Sequence, residues 1–159
     1  MVNCYRLAGA DSVACDVTDQ VQLSFDERCR SRGKGESDNG MTVAWFFERG
    51  QSLKHGDLLQ GEDGGLFKIV AAAEKVSKVT AGDSYLLMRI AYHLGNRHVP
   101  LQITPGYLLY QVDHVLDEMA RGLGGMVAHC DLAFQPEDGA YAAHGHGHQQ
   151  GHHHQEDVR

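Results

Sequence analysis

Two helix-period segments interleaved with strand-period segments, between Leu66 and Phe134, constrain this chain's fold more than any other feature. Leu66 to Val79 is rich in Val and Ile and reads as a long strand. Asp83 is placed to cap a helix through Leu94, with Leu86, Leu87, Ile90 and Leu94 at helical spacing and Gly95-Asn96 ending it. Val99, Leu101 and Ile103 alternate as a strand, Thr104-Pro105-Gly106 turns the chain, and Tyr107 to Gln111 forms the next strand. Asp113 caps a second helix whose stripe is Val115, Leu116, Met119 and Leu123, and Gly124-Gly125 stops it. Met126, Ala128, Cys130, Leu132 and Phe134 then share one face of a last strand. The order is β-α-β-β-α-β, the ferredoxin-like split arrangement, with both helices on one face of the sheet.

The residues before it read differently. Val2 to Leu7, Val21 to Phe25 and Met41 to Phe47 are short strand candidates, punctuated by Gly33, Gly35, Asn39-Gly40, Gly56 and the glycines from Gly61 to Gly65. The fold class is therefore two-domain, β and α+β. A small N-terminal β-domain occupies 1–75, a ferredoxin-like domain 76–141, and a polar, Gly- and His-rich tail, expected to be disordered without metal, 142–159. At 159 residues there is enough chain to bury a core in each.

Charge and composition exclude some functions. Lys plus Arg is 14 against 21 Asp plus Glu, a formal net charge of −7, which disfavours nucleic acid, whose phosphates require clustered cations. The densest basic stretch, Arg28 to Lys34, is short and reads as a solvated loop. No apolar run is long enough to span a membrane, and the first residues lack a signal peptide's pattern, so a cytoplasmic location is expected. Cys4, Cys15, Cys29 and Cys130 form no Cys-x-x-Cys pair and are expected to be free, partly buried thiols.

The histidines carry the chemistry. Of 11, six lie near the end: His144, His146, His148, His152, His153 and His154, spaced mostly by Gly and Gln. Neutral imidazole suits nickel, copper, zinc and iron, and Gly spacers impose no geometry, as fits capture and release. The longest run, His152 to His154, is followed by Gln155-Glu156-Asp157-Val158-Arg159, unlike an unbroken affinity tag.

Within the folded part His98 is singled out. If Val99, Leu101 and Ile103 face the core, His98 stands at the edge of the other face or in an interface, where a two-fold axis could bring two copies onto one ion. A surface histidine making ordinary hydrogen bonds is the bland alternative. His93 sits in the last turn of the first helix, where a cation meets the dipole favourably. Asp113 is explained by capping alone, and the adjacent His114 does not face it. His55 is expected in a turn and His129 on a strand's exposed face. There is no nucleotide-binding Gly-rich loop, no Gly-x-Ser-x-Gly and no His-Glu-x-x-His, so no catalytic machinery is indicated.

Three segments are more specific: Tyr92-His93-Leu94-Gly95-Asn96-Arg97-His98-Val99-Pro100-Leu101-Gln102, Asp113-His114-Val115-Leu116, and Phe134-Gln135-Pro136-Glu137-Asp138-Gly139-Ala140-Tyr141. In this order, with a His-rich end, they resemble the UreE urease accessory proteins, strongly from about Asp57 to Tyr141. The resemblance implies a homodimeric, cytoplasmic nickel metallochaperone that catalyses no reaction. Its N-terminal β-domain would bind peptides or partners, and its ferredoxin-like domain would dimerise. His98 would bind Ni²⁺ at the dimer interface, with tail histidines supplying further ligands. The cargo would pass to urease apoprotein in complex with other accessory proteins, among them a GTPase. Some relatives pair a histidine at the position of Val112 with the one matching His114; Val112 cannot ligate, which leaves His114 alone there. A general nickel, copper or zinc sequestration protein is the alternative, since nitrogen sites favour Cu²⁺ over Ni²⁺ and also take Zn²⁺.

Overall fold

Alternating burial and tight turns build one sheet from the first half of the chain. The computed structural model describes residues 1–8 and 16–139. Six strands, β1 (Val2–Leu7), β2 (Asp19–Leu23), β3 (Arg32–Glu36), β4 (Thr42–Phe46), β5 (Leu58–Gly61) and β6 (Leu66–Ala71), pair in the order β2-β6-β5-β1-β4-β3. β1 runs parallel to β4 and β2 to β6. The sheet's two ends meet where Val21 bridges Ser37 and the Asp38 amide donates to the Gln20 carbonyl at 2.9 Å. The enclosed core holds Cys4, Val21, Trp45, Leu59, Phe67 and Ile69. Burial pushes the Cys4 thiol up to about 11, so it packs as an inert apolar group.

The expected solvated loop at Arg28 to Lys34 is not one. Arg28 is 4% exposed and closes a one-turn helix, α1 (Phe25–Arg28), which Ser24 starts through a reciprocal capping box with Glu27. Phe25 therefore belongs to a helix, not to the strand read as far as that residue. Arg32 to Lys34 lie in β3. Its glycines hid it, since Gly carries no strand signal. They are required by packing: a Cβ at Gly33 would stand 2.4 Å from the Trp45 ring, and one at Gly35 2.9 Å from Val21.

The second half forms β7 (Ala73–Thr80), α2 (Ser84–Gly95), β8 (Gln102–Thr104), β9 (Tyr107–Gln111), α3 (His114–Gly122) and β10 (Met126–Ala133). The sheet order is β10-β7-β9-β8 with every neighbouring pair antiparallel, the split β-α-β arrangement anticipated from the order of periods. The segment read as one strand from Leu66 to Val79 is two strands in two sheets. It breaks at Ala72, whose amide donates to the Leu23 carbonyl at 2.9 Å. Asp83 caps α2 through the Leu86 amide at 2.7 Å, and Ile90 and Leu94 are fully buried. Val115, assigned inward, is 57% exposed; Ile103 lies on the helix side as expected, opposite Leu108, yet stays 52% exposed because β8 is the sheet's edge. On α3 the inward side is Leu116, Asp117 and Ala120, because the Asp117 carboxylate finds partners inside.

The helix-free face of this sheet is covered twice. Phe25 of α1 meets Phe134 edge-on with ring centroids 5.3 Å apart, over Val76 and Leu109. Beyond β10 the chain crosses to the opposite edge, where the Gln135 amide donates to Gln102 Oε1 at 2.7 Å and the Glu137 amide to the Leu101 carbonyl at 2.8 Å.

Forcing a side chain against Trp45 tests the glycine strand. Gly33→Val should cost about 1–3 kcal/mol by overpacking, read as a lowered urea midpoint. Lys34→Val, on the exposed side of β3, should stay within about 0.5 kcal/mol.

Candidate metal-binding site and its surroundings

His98 owes its position to the way α2 ends. The helical turn continues past Gly95 through Arg97 and His98, whose amides donate to the Leu94 and Gly95 carbonyls at 3.0 Å each. His98 itself has φ of 56°, the only non-glycine residue among those described with a positive φ. Left-handed backbone costs an ordinary residue roughly 1–2 kcal/mol. The imidazole is exposed, on a turn rather than at the start of the strand expected there, since β8 begins only at Gln102. Leu101, 8% exposed, anchors the segment from below.

α2 displays a feature absent from the sequence reading. Tyr85, Met88 and Tyr92 follow one another at helical spacing and are 67%, 63% and 66% exposed. This apolar stripe runs along the helix that ends beside His98. His93, half-buried, sits edge-on to Tyr92 at 5.3 Å between ring centroids.

The other predicted ligands are dispersed. His114 is exposed on the first turn of α3, and the carboxylate of Asp113 is spent on the cap, accepting from the Val115 and Leu116 amides at 2.8 and 3.1 Å. Val112 beside them is exposed. His55 lies in a turn and its Nδ1 accepts from the Ala71 amide at 3.2 Å. Among the described residues no three His, Cys, Asp or Glu side chains gather as a metal cage. His144, His146, His148, His152, His153 and His154 lie outside the described residues, as does Cys15. Cys4, Cys29 and Cys130 are free thiols.

The buried polar cluster under α3 was not foreseen. Asp117, 2% exposed, accepts from the Tyr110 hydroxyl at 2.8 Å, and its other oxygen lies 2.6 Å from His129 Nε2. The buried Ser77 hydroxyl faces this group with no partner of full hydrogen-bond geometry. Burial opposes the Asp117 charge, but the surrounding hydroxyls and the His129 imidazole outweigh it and hold the carboxyl below its ordinary range. Burial, with Asp117 alongside, drives the Tyr110 phenol well above its usual value. The only forewarning in the sequence is an acidic residue between two inward apolar positions of a helix.

The fold defines a two-domain protein whose described candidate ligands, His98 and His114, stand on the surface instead of in a catalytic cleft. Residues 6–72 match the family described as UreE urease accessory protein, N-terminal domain, and residues 74–158 match the C-terminal domain of the same family. The chain is 51% identical over 132 residues to the urease accessory protein UreE of Teredinibacter turnerae, covering 83% of this chain and 84% of that one. It is 53% identical over 128 residues to the UreE of Saccharophagus degradans, covering 80% and 76%. With the UreE of Pseudomonas putida it shares 50% identity over 133 residues, covering 83% and 81%. The chain belongs to the UreE family of urease accessory proteins, and it is an accessory protein, not an enzyme.

The Asp117 cluster yields a measurable pH dependence. Because the folded carboxyl binds its proton less tightly than the unfolded one, its contribution is complete above about pH 4, the ordinary aspartate value, and is lost as pH falls through the lower folded value. Urea midpoints of Asp117→Asn should therefore vary less with acidification than those of the wild type. Asp117→Ala, which strands the Tyr110 hydroxyl, should be destabilised by about 1–3 kcal/mol at neutral pH.

Proposed function

We propose that the chain is a cytoplasmic homodimer that binds Ni²⁺ as cargo and delivers it to apo-urease during maturation of that enzyme's active site, together with the other accessory proteins and their GTPase. The observation that carries this reading is the left-handed backbone of an exposed histidine. Strain kept at a side chain with no packing role points to function. One imidazole holds a metal weakly. Two His98 side chains related by a two-fold axis make a better site, and the stripe of Tyr85, Met88 and Tyr92 supplies apolar surface that a second copy would cover.

The tail is rooted to contribute. The Glu137–Leu101 hydrogen bond ties the chain three residues from His98, a span of at most about 11 Å. His144 follows seven residues after Glu137. The tail histidines would capture ions and complete the shell around His98, with nitrogen donors that also accept Cu²⁺ and Zn²⁺. Selectivity for nickel would then reside in the partners and the metal supply. His114 would be at most a peripheral ligand, since Val112 brings no donor beside it.

Equilibrium dialysis with radioactive nickel tests the site. Truncation after Tyr141 should remove several metal equivalents and leave the dimer intact by light scattering. In that truncated protein His98→Ala should abolish tight binding and His55→Ala should change little. His98→Gly should also abolish it without loss of thermal stability, because glycine adopts positive φ freely. Ligation requires neutral imidazole, so binding should weaken from about pH 7 to about pH 5. Tight binding retained by truncated His98→Ala would place the central site elsewhere. Failure of the nickel-loaded protein to activate apo-urease would favour simple sequestration.

Dimerisation has its own test. Met88→Asp with Tyr92→Asp should give a monomer on light scattering and lose the tight site while keeping the far-ultraviolet circular dichroism of the fold. A dimer that survives both substitutions would remove α2 from the interface.

A further inference from the structure

The outer face of the N-terminal sheet is not the polar surface expected of a sheet with one solvated side. Tyr5 and Phe46 stack there with ring centroids 5.5 Å apart and planes 24° from parallel, and they are 59% and 41% exposed. Alternation from the buried Cys4 points Tyr5 outward, and a register shift follows: Cys4 pairs with Gly61 and Arg6 already with Gln60, so Tyr5 is an extra residue in the β1–β5 ladder. Bulges of this kind re-aim side chains, and here Tyr5 and Arg6, consecutive in sequence, are both exposed. Arg32 of β3 lies directly across from Phe46.

Adjoining hollows continue the surface. One is lined by Tyr5, Arg6, Arg32 and Phe46, and the next, sharing Arg32, by Arg30 and Arg49. All four arginines are exposed, and none makes an ion pair among the described residues. Glu48 and Glu62 stand at the rim, the latter accepting from Asn3 Nδ2 at 3.0 Å. In a chain of net charge −7 this is a local positive field around an aromatic platform.

We propose that this trough is a docking site for an acidic, extended segment of a partner protein, with an aromatic or aliphatic side chain seated on the Tyr5–Phe46 pair and carboxylates on the four arginines. Arginine pairs carboxylates through a two-pronged donor set and aromatics supply desolvated area, the two residue classes that dominate interface energetics. The opposite charge elsewhere on the molecule would repel an acidic partner from the wrong face. The inference deepens the accessory reading by giving the partner a surface, and it rests on that reading only for the occupant being a protein.

Fluorescence anisotropy with a labelled synthetic peptide of alternating Glu and Leu, on the full chain at low salt, tests it. The wild type should bind, and binding should weaken as salt rises. Arg32→Glu with Arg49→Glu should weaken it at least about tenfold, as like charges meet, and Tyr5→Ser should weaken it too. Arg121→Glu, on the second domain, should stay within about twofold. A Lys–Leu peptide should not bind. Unchanged far-ultraviolet circular dichroism and unchanged nickel binding by the doubly reversed variant would separate loss of docking from loss of fold or cargo. Equal binding by the Lys–Leu peptide, indifference to the reversals, or an equal loss in Arg121→Glu would overturn the proposal. So would sharply tighter binding after removal of residues 142–159, which would assign the trough to the chain's own tail.

Discussion

The buried guanidinium of Arg28 is the interaction on which the arrangement of the rest depends. It donates to the Leu23 carbonyl at 3.4 Å, to the Phe134 carbonyl through Nη2, and lies 5.8 Å from the centre of the Phe25 ring. Burial lowers its affinity for the proton, and the nearby Glu74 works against that. A cation with this little solvent must be fully engaged by its neighbours. Arg28 meets that requirement by holding the end of a strand in one sheet to the chain leaving the other. Glu74 completes the junction by accepting from the Phe25 amide at 2.7 Å and from Gln111. Removing the Glu74 charge would leave the buried Arg28 without its nearby opposite charge, so the two domains are joined by a specific set of polar contacts in addition to apolar ones.

That junction bears on the candidate metal site. With the Phe134 carbonyl fixed, the following residues can cross the sheet to Leu101, and the chain emerges near the turn that carries His98. The donors are thus prepared unequally. His98 is held by helix-end hydrogen bonds and by the packing of Leu101 beneath it, at the cost of a left-handed backbone. The tail donors have their point of departure fixed and their spacing filled with glycine. Under the proposed reading, a fixed His98 joined by histidines spaced with glycine would suit an ion that must be accepted and later released, whereas a catalytic site requires all its ligands rigid.

Much of the second domain was legible because local signals agreed with one another. Asp83 and Asp113 cap where they were expected to, Gly106 and Gly124 take the positive φ that ends each element, and periods of helix and strand alternate in an order with few topological solutions. The first domain was less so. β3 is a Gly-rich strand whose assignment depends on Trp45 pressing against it, and α1 is a single turn with no periodicity to detect. Where patterns failed, a long-range contact had overruled them. α3 turns Asp117 inward and Val115 outward because Tyr110 and His129 wait inside, and Ile103, on the expected face with Leu108, stays exposed because β8 is the sheet's edge.

Sequence by itself determined the family, the split β-α-β order, the caps and the singular placement of His98 after a helix stop. Each of these is written in residues a few positions apart, where propensity and hydrogen-bonding geometry act locally. Tertiary structure alone decided the bulge that leaves Tyr5 and Arg6 both exposed, the buried fate of Arg28 and Asp117, and the path that brings the chain after β10 to Leu101, near the candidate site. Those depend on groups far apart in the chain, such as Arg28 with Phe134 and Tyr5 with Phe46. Whether a charge is buried or a ring exposed is settled by what packs against it, and no local pattern records that.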